Sequence, residues 1–525
     1  MITRPSVAEL TTGLIRNFEK LAQQQGAGVQ QLMVPALAVL DRVQQEWPSW
    51  QALLCADNAD LRATLTELAV VALPPEQPAA AVASHLAGSA VAALEEENRA
   101  LKQALVDAIH VLDLPADAHS STAAQAADAA VLALLQRMLW REASVPVPAP
   151  RSAATGGNPV NAGVALDALQ RVLESFLADR LPHAQRLEIA ELQPLAGGAS
   201  REAWTFAVSW SDDLGQHHES CILMREPVAS VLVSDSAADV IDGTRRTVAA
   251  EVRVLQAMQS AGLKVPVVLW FDVTGDWLER PFSIMRRLPG TADVSALLEG
   301  ERSSAVMEQF VAHLAQLHAQ DPRALGLEFL GQPQADEAAL AQVLQFEKNF
   351  HAQCMEPFPA TTYLIAWLKK HAPIASRVRV VHGDYRLGNF LYDADQIIAI
   401  LDWEQVHIGD PVEEIAFMYW AVWTLEPLCS IESFIAQYEQ ASGSPVDRDT
   451  LAYYRMFIEF KMLVVLFTGL RSFYATDELQ LHYGSAQTTE MIRDSQLRAI
   501  EALAQGGPTV AFDAYQKISL GVDHG

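Results

Sequence analysis

Between Val378 and Ala416 the chain reads VRVVHGDYRLGNFLYDADQIIAILDWEQVHIGDPVEEIA, and three of its oxygen-bearing side chains, Asp384, Asn389 and Asp402, suit one kind of chemistry. Phosphoryl transfer needs little covalent help from a protein. It needs Mg²⁺ across the phosphates, held by a carboxylate and an amide-type oxygen, and a second carboxylate beside the acceptor hydroxyl. Asn389 and Asp402 fit the metal-holding roles, and Asp384 fits the acceptor side.

These side chains need a scaffold that brings them together. Val378, Val380 and Val381 predict a short β-branched strand, and the next eight residues, from His382 to Asn389, predict a polar loop with two glycines. Phe390 to Tyr392 resumes an extended run, Asp393-Ala394-Asp395 turns the chain, and Ile397 to Leu401 runs apolar into Asp402. The resulting hairpin delivers Asn389 and Asp402 to one place. Asp410 as N-cap, Pro411 at N1 and Glu413 at N3 then predict a helix start.

HGDYRLGN matches the kinase loop pattern His-x-Asp-x-x-x-x-Asn, and LDWE stands where protein kinases have Asp-Phe-Gly. Together with Gly409-Asp410-Pro411, the segment resembles the aminoglycoside phosphotransferase (choline-kinase-like) family, in the branch associated with acyl-CoA dehydrogenases. The resemblance implies an α+β, protein-kinase-like bilobal fold with ATP and Mg²⁺. Its small β-rich lobe would span residues 164–290 and its larger helical lobe, with a helical substrate subdomain, residues 291–525. Relatives often carry Asp-Leu-Ala where Glu414-Ile415-Ala416 stands.

The small lobe offers candidate nucleotide contacts. Gly197, Gly198 and Ser200 form a turn between strands, where backbone N–H groups can approach a phosphate. The strand Cys221 to Arg225 ends in an arginine where kinases carry a phosphate-pairing lysine, and Glu251, on a helix read over Ala237 to Ser260, matches the glutamate that pairs with that cation. FSIMRRLPG resembles the family's hinge. The resemblance puts the adenine contact at Arg287 with Met285 behind the base; Val306, Phe310, Leu314 and Leu317 mark a large-lobe helix, and His318 at its end reads as structural.

The chain has 525 residues, half of them apolar, which is too long for one ordinary core. A net charge of −27 opposes nucleic-acid or anionic-membrane partners. Four scattered cysteines suggest neither a zinc site nor a disulfide framework, and the absence of an apolar leader or spanning segment predicts a soluble cytoplasmic protein without a membrane partner. Residues 1–143 read as a separate all-α domain, with Leu14, Phe18 and Leu21, and later Leu94, Leu101, Leu105 and Leu112, at helical spacing. Its run ALEEENRALKQAL suits a helix of a small bundle and also admits a homodimeric coiled coil. Residues 144–163, rich in Pro, Ala, Gly and Ser, read as a linker.

Only Trp403 to Gly409 separates Asp402 from the expected helix cap, too little for a peptide-docking segment, so the acceptor is read as a small-molecule hydroxyl. Hydroxyacyl-CoA, an amino sugar and an amino alcohol all remain open. Arg225 in place of lysine sustains a second reading, a non-catalytic nucleotide-binding scaffold whose N-terminal helices recruit a partner.

Overall fold

The computed structural model describes residues 49–69, 90–112, 121–145, 166–195, 202–226, 247–294, 303–354, 356–421, 423–475 and 486–505. In chain order come α1 (49–69), α2 (Ala90–Val111), α3 (Thr122–Ala143) and α4 (Leu166–Arg180), then β1 (Gln185–Pro194), β2 (Glu202–Asp212) and β3 (Gly215–Arg225). Helix α5 (Val248–Ser260), β4 (Val268–Asp272), β5 (Phe282–Arg286), α6 (Ser303–His318), α7 (Ala338–Gln353) and α8 (Pro359–Lys370) follow. The last stretch holds β6 (Arg379–Val381), β7 (Phe390–Asp393), β8 (Gln396–Ile400), β9 (His407–Gly409), α9 (Val412–Met418), α10 (Ile431–Ser442), α11 (Arg448–Ala475) and α12 (Ala486–Ala504).

Two compact units share the chain: a helical one from Met1–Ala154, Ala339–Pro373 and Arg448–Gly525, and an α/β one from Thr155–Ala338 and Ile374–Asp447. In the α/β unit β1 to β5 form an antiparallel sheet of order β1-β2-β3-β5-β4. Side chains alternate across a strand, so Trp204, Phe206 and Val208 of β2 share one face. With Cys221, Leu223, Phe282 and Ile284 they bury against Leu169, Leu173, Phe176 and Leu177 of α4. The same register sets Arg225 opposite Glu202 and Phe282, on the α4 face, and Met285 opposite Ile222, on the other.

Helix α5 packs against β4 and β5, and α6 against α10 and the hairpin strand β8. The two short ladders β6–β9 and β7–β8 frame the loop from His382 to Asn389. This is the α+β protein-kinase-like fold, with a helical region ahead of the sheet. At Gly290 (φ +112°) a Cβ would lie 2.3 Å from the Tyr392 carbonyl, and the bridge between Thr291 and Tyr392 ties the end of the hinge to β7.

In the helical unit α2 and α3 pack on elements from much later in the chain. Helix α2 meets α8, and α3 meets α12. Asp128 of α3 accepts a hydrogen bond from the Tyr363 hydroxyl of α8, and the buried Lys102 of α2 pairs with Glu356 at 3.2 Å. By contacts, then, the all-α stretch expected at residues 1–143 shares its unit with α7, α8, α11 and α12, and the first segment of that unit ends at Ala154, within the 144–163 stretch. Residues 146–163 of that stretch, like Leu14, Phe18 and Leu21, lie outside the described residues.

Candidate active site

The loop after β6 is held by what surrounds it. Gly383 has φ +83°, and a Cβ there would sit 2.3 Å from the Gln405 carbonyl, so only glycine lets the two segments approach. The His382 Nε2–H donates to the Leu401 carbonyl at 2.9 Å, and its Nδ1 accepts from the Asp384 N–H at 3.2 Å, a tautomer assigned from these partners. The ring also rests against buried Trp403, centroids 4.6 Å apart.

Beneath the loop lies Glu414, with no exposed surface. Its Oε2 accepts from the His382 N–H at 2.7 Å and its Oε1 from the Gly383 N–H at 2.8 Å. His318 Nε2 lies 3.6 Å from Oε2, and the His318 Nδ1 is 2.8 Å from the Tyr438 hydroxyl. Burial alone would raise the Glu414 carboxyl, but the His318 ring, His382 and the loop amide hold it below its ordinary range. The sequence marks Glu414 only as a departure from the usual aspartate; the longer side chain reaches the loop and anchors it. His318, read as structural, is buried as the support of that anchor.

The predicted reactive residues Asp384, Asn389 and Asp402 do come together. The Asn389 Nδ2–H donates to the Asp384 carbonyl at 2.9 Å, leaving its amide oxygen as the outward group, and the Leu401 N–H donates to the Asn389 carbonyl at 2.8 Å, bringing the residue before Asp402 to the same spot. Asp384 Oδ1 accepts from Arg386 Nε at 3.0 Å, while its Oδ2 makes no hydrogen bond among the described residues. Asp402 stands in the left-handed region (φ 64°, ψ 64°), uncommon for a residue with a Cβ. The residue is exposed to solvent, although much protein crowds its carboxylate. That crowding, then the like charges of Glu404, Asp384 and Glu251, push its pKa well above the ordinary carboxylate value, with Arg386 opposing.

Such a concentration of negative charge, reachable by solvent beside a free amide oxygen, fits a hard divalent cation with oxygen ligands. Among the described residues no group of three or more His, Cys, Asp or Glu side chains forms a metal shell by itself. Mg²⁺ in general keeps several waters and takes phosphate oxygens beside one or two protein carboxylates.

The remaining candidates fall out differently. Arg225 and Glu251 are not brought together: Arg225 donates through Nε (2.8 Å) and Nη2 (2.5 Å) to Glu202, and its guanidinium lies 5.1 Å from the Trp204 ring. Glu251 instead stands within electrostatic reach of Asp402. Met285 is buried in β5, and the Arg287 N–H, expected to face adenine, donates to the Ser220 carbonyl at 2.8 Å. Gly197, Gly198 and Ser200 lie outside the described residues.

The helix after Gly409 starts one residue later than its sequence indicates. Pro411 takes the cap position, Asp410 Oδ1 accepts from the Val412 N–H at 3.0 Å, and the Glu413 carboxylate lies 3.2 Å from His407 Nε2. Arg386, inside the quoted motif, carries no role in the sequence reading. Its position two residues after Asp384 was the available signal.

The sequence profile of the phosphotransferase enzyme family matches residues 191–455, half of the chain, and takes in the whole loop, hairpin and Asp402. The chain belongs to that family. As a member it is a phosphotransferase. Acyl-CoA dehydrogenase family member 10 of Mus musculus is 30% identical over 212 residues, 39% of this chain and 19% of that protein. Acyl-CoA dehydrogenase family member 11 of Homo sapiens is 27% identical over 304 residues, 54% of this chain and 36% of that protein. The chain thus spans between about a fifth and somewhat over a third of these relatives' lengths. Among solved structures, a putative aminoglycoside phosphotransferase of Ralstonia eutropha is 20% identical, with a TM-score of 0.48 over 63% of this chain and 97% of that one. No helix among the described residues is long and apolar enough to cross a membrane.

Proposed function

We propose that the protein transfers the γ-phosphoryl group of ATP to a hydroxyl of a small molecule. The observation that supports this most directly is that Asp384, Asn389 and Asp402 meet on one buttressed loop and hairpin within the region matched by the phosphotransferase family. Asp384 receives the acceptor's proton at its free Oδ2 while Oδ1 stays bonded to Arg386. Asn389 and Asp402 are the residues that would hold Mg²⁺, which when bound neutralises phosphate charge. His382 and Glu414 keep the Asp384 backbone in place, since small misplacements of a reacting group are costly.

The acceptor we favour is a hydroxyacyl-CoA ester. What supports this choice is that the relatives share this segment in proteins named for acyl-CoA dehydrogenation, whose substrates are acyl-CoA thioesters. The test is phosphorus NMR of Mg·ATP incubated with the full chain and a panel of hydroxyacyl-CoA esters, free hydroxy acids, choline and amino sugars. A phosphomonoester is expected on the thioester. Transfer to an amino sugar alone removes the acceptor assignment, and ATP consumption unaltered by Asp384→Asn removes the assigned base.

A further inference from the structure

The sequence places a phosphate-pairing cation at Arg225, but that guanidinium is committed to Glu202 on the α4 face of the sheet, with Arg280 on the same carboxylate at 3.0 Å. A site that handles a triphosphate beside Asp384, Asp402, Glu251 and Glu404 still needs a positive side chain. One stands in the loop itself.

Arg386 is held from three sides. Its Nε is tied to Asp384 Oδ1 at 3.0 Å, and its Cζ lies 5.0 Å from the centre of the Trp423 ring. Its Nη1 occupies the space over Gly388, where an added Cβ would come within 2.5 Å of it. Among the described residues Nη1 and Nη2 donate to no protein group, and about a third of the side chain faces solvent. A guanidinium fixed through Nε and its flat face, with both terminal nitrogens unspent, is arranged to receive a second, bidentate anion.

We propose that Arg386, and not Arg225, is the catalytic cation of this phosphotransferase, its terminal nitrogens binding the γ-phosphate oxygens while its Nε orients Asp384. The inference rests on the phosphotransfer reading above. In the step it serves, the acceptor oxygen forms a bond to the γ-phosphorus as the bond from that phosphorus to the bridging oxygen of ADP breaks. The hydroxyl proton passes to Asp384 Oδ2, and ADP leaves with the electron pair. Arg386 meets the negative charge on the transferring group without exchanging a proton. Gly388 follows from the same geometry, since a side chain there would displace the guanidinium.

Calorimetric titration of the full chain with Mg·ATP and with Mg·ADP tests this without knowledge of the acceptor. Arg386→Gln should weaken ATP about tenfold or more, the scale of a lost charge-assisted pair, and leave ADP unchanged. Gly388→Ala should shift the ATP-to-ADP ratio in the same direction by less, at an unchanged melting temperature, because the atoms it meets belong to the far end of the flexible Arg386 side chain. Arg386→Lys should restore part of the preference. Equal weakening of ATP and ADP, an unchanged ratio in both variants, or a higher KM for the acceptor with ATP affinity intact would each overturn the assignment. If the unmodified chain binds neither nucleotide, the phosphotransfer reading falls first, and this inference with it.

Discussion

Two charged clusters of the α/β unit use the same residue types in opposite ways. At the end of β3, Arg225 and Arg280 share Glu202, and Arg280 also donates to the Glu226 carbonyl at 2.6 Å, so both guanidiniums are paired with one carboxylate and most of their N–H groups are spent. Around Asp402 the like charges of Glu404, Asp384 and Glu251 oppose its ionisation, and the guanidinium of Arg386 favours it. The first cluster is complete without a ligand. Among the described residues the second keeps Asp384 Oδ2 without a hydrogen bond and holds a left-handed aspartate, features that a protein keeps where something else is to bind.

If this contrast is real, substitutions in the two clusters should separate stability from activity. Asp384→Asn should lower turnover about 10²- to 10⁴-fold, roughly 3 to 5 kcal/mol in barrier, while ATP affinity and melting temperature stay near those of the unmodified chain. Parallel losses in all three, measured on one preparation, would move Asp384 to the structural side. Glu202→Gln should do the reverse. It strands Arg225, only 8% exposed, and should cost about 3 to 5 kcal/mol in a denaturant titration, with nucleotide affinity of the remaining folded protein retained.

A smaller effect is expected at Asp402. Asp402→Asn should weaken Mg²⁺-dependent ATP binding yet hold or raise the melting temperature of the ligand-free protein, because it removes a charge that its neighbours oppose. A lower melting temperature together with unchanged metal dependence would make Asp402 a structural residue. The smallest effect is expected at Asp410, whose carboxyl is pushed up to about 6 by burial and has one buried oxygen, Oδ2, without a partner. A raised folded-state pKa contributes stability below the unfolded value, about 3.9, that is lost as pH rises through the folded one. Asp410→Asn should therefore gain about 1 kcal/mol over the unmodified protein above pH 6, net of the new unpaired N–H, and lose that advantage below about pH 4. A pH-independent difference in thermal melting would rule out the titration as its source.

The reactive segment was legible because its information is local. Asp384 and Asn389 share an eight-residue loop, and a β-branched hairpin of predictable parity carries the chain on to Asp402. The small-lobe strands and α6 were legible for the same reason: alternation and helical periodicity are properties of short windows. The partner of Arg225 was not, because Glu202 is 23 residues away and faces it only through the antiparallel register of β2 and β3.

By itself, then, the sequence determined that a kinase-type loop, hairpin and small-lobe sheet exist and which residues carry their oxygen ligands. Tertiary structure alone decided that Glu414 anchors the loop, that Arg225 is spent on Glu202 while Arg386 bonds Asp384 through Nε and, among the described residues, keeps its terminal nitrogens free, and that α2 and α3 pack on α8 and α12. The reason lies in range. Backbone preference and side-chain parity act over a few residues, whereas the partner of a buried charge or of an apolar helix face is whatever the folded chain brings beside it, and that choice is made by packing and desolvation across hundreds of residues.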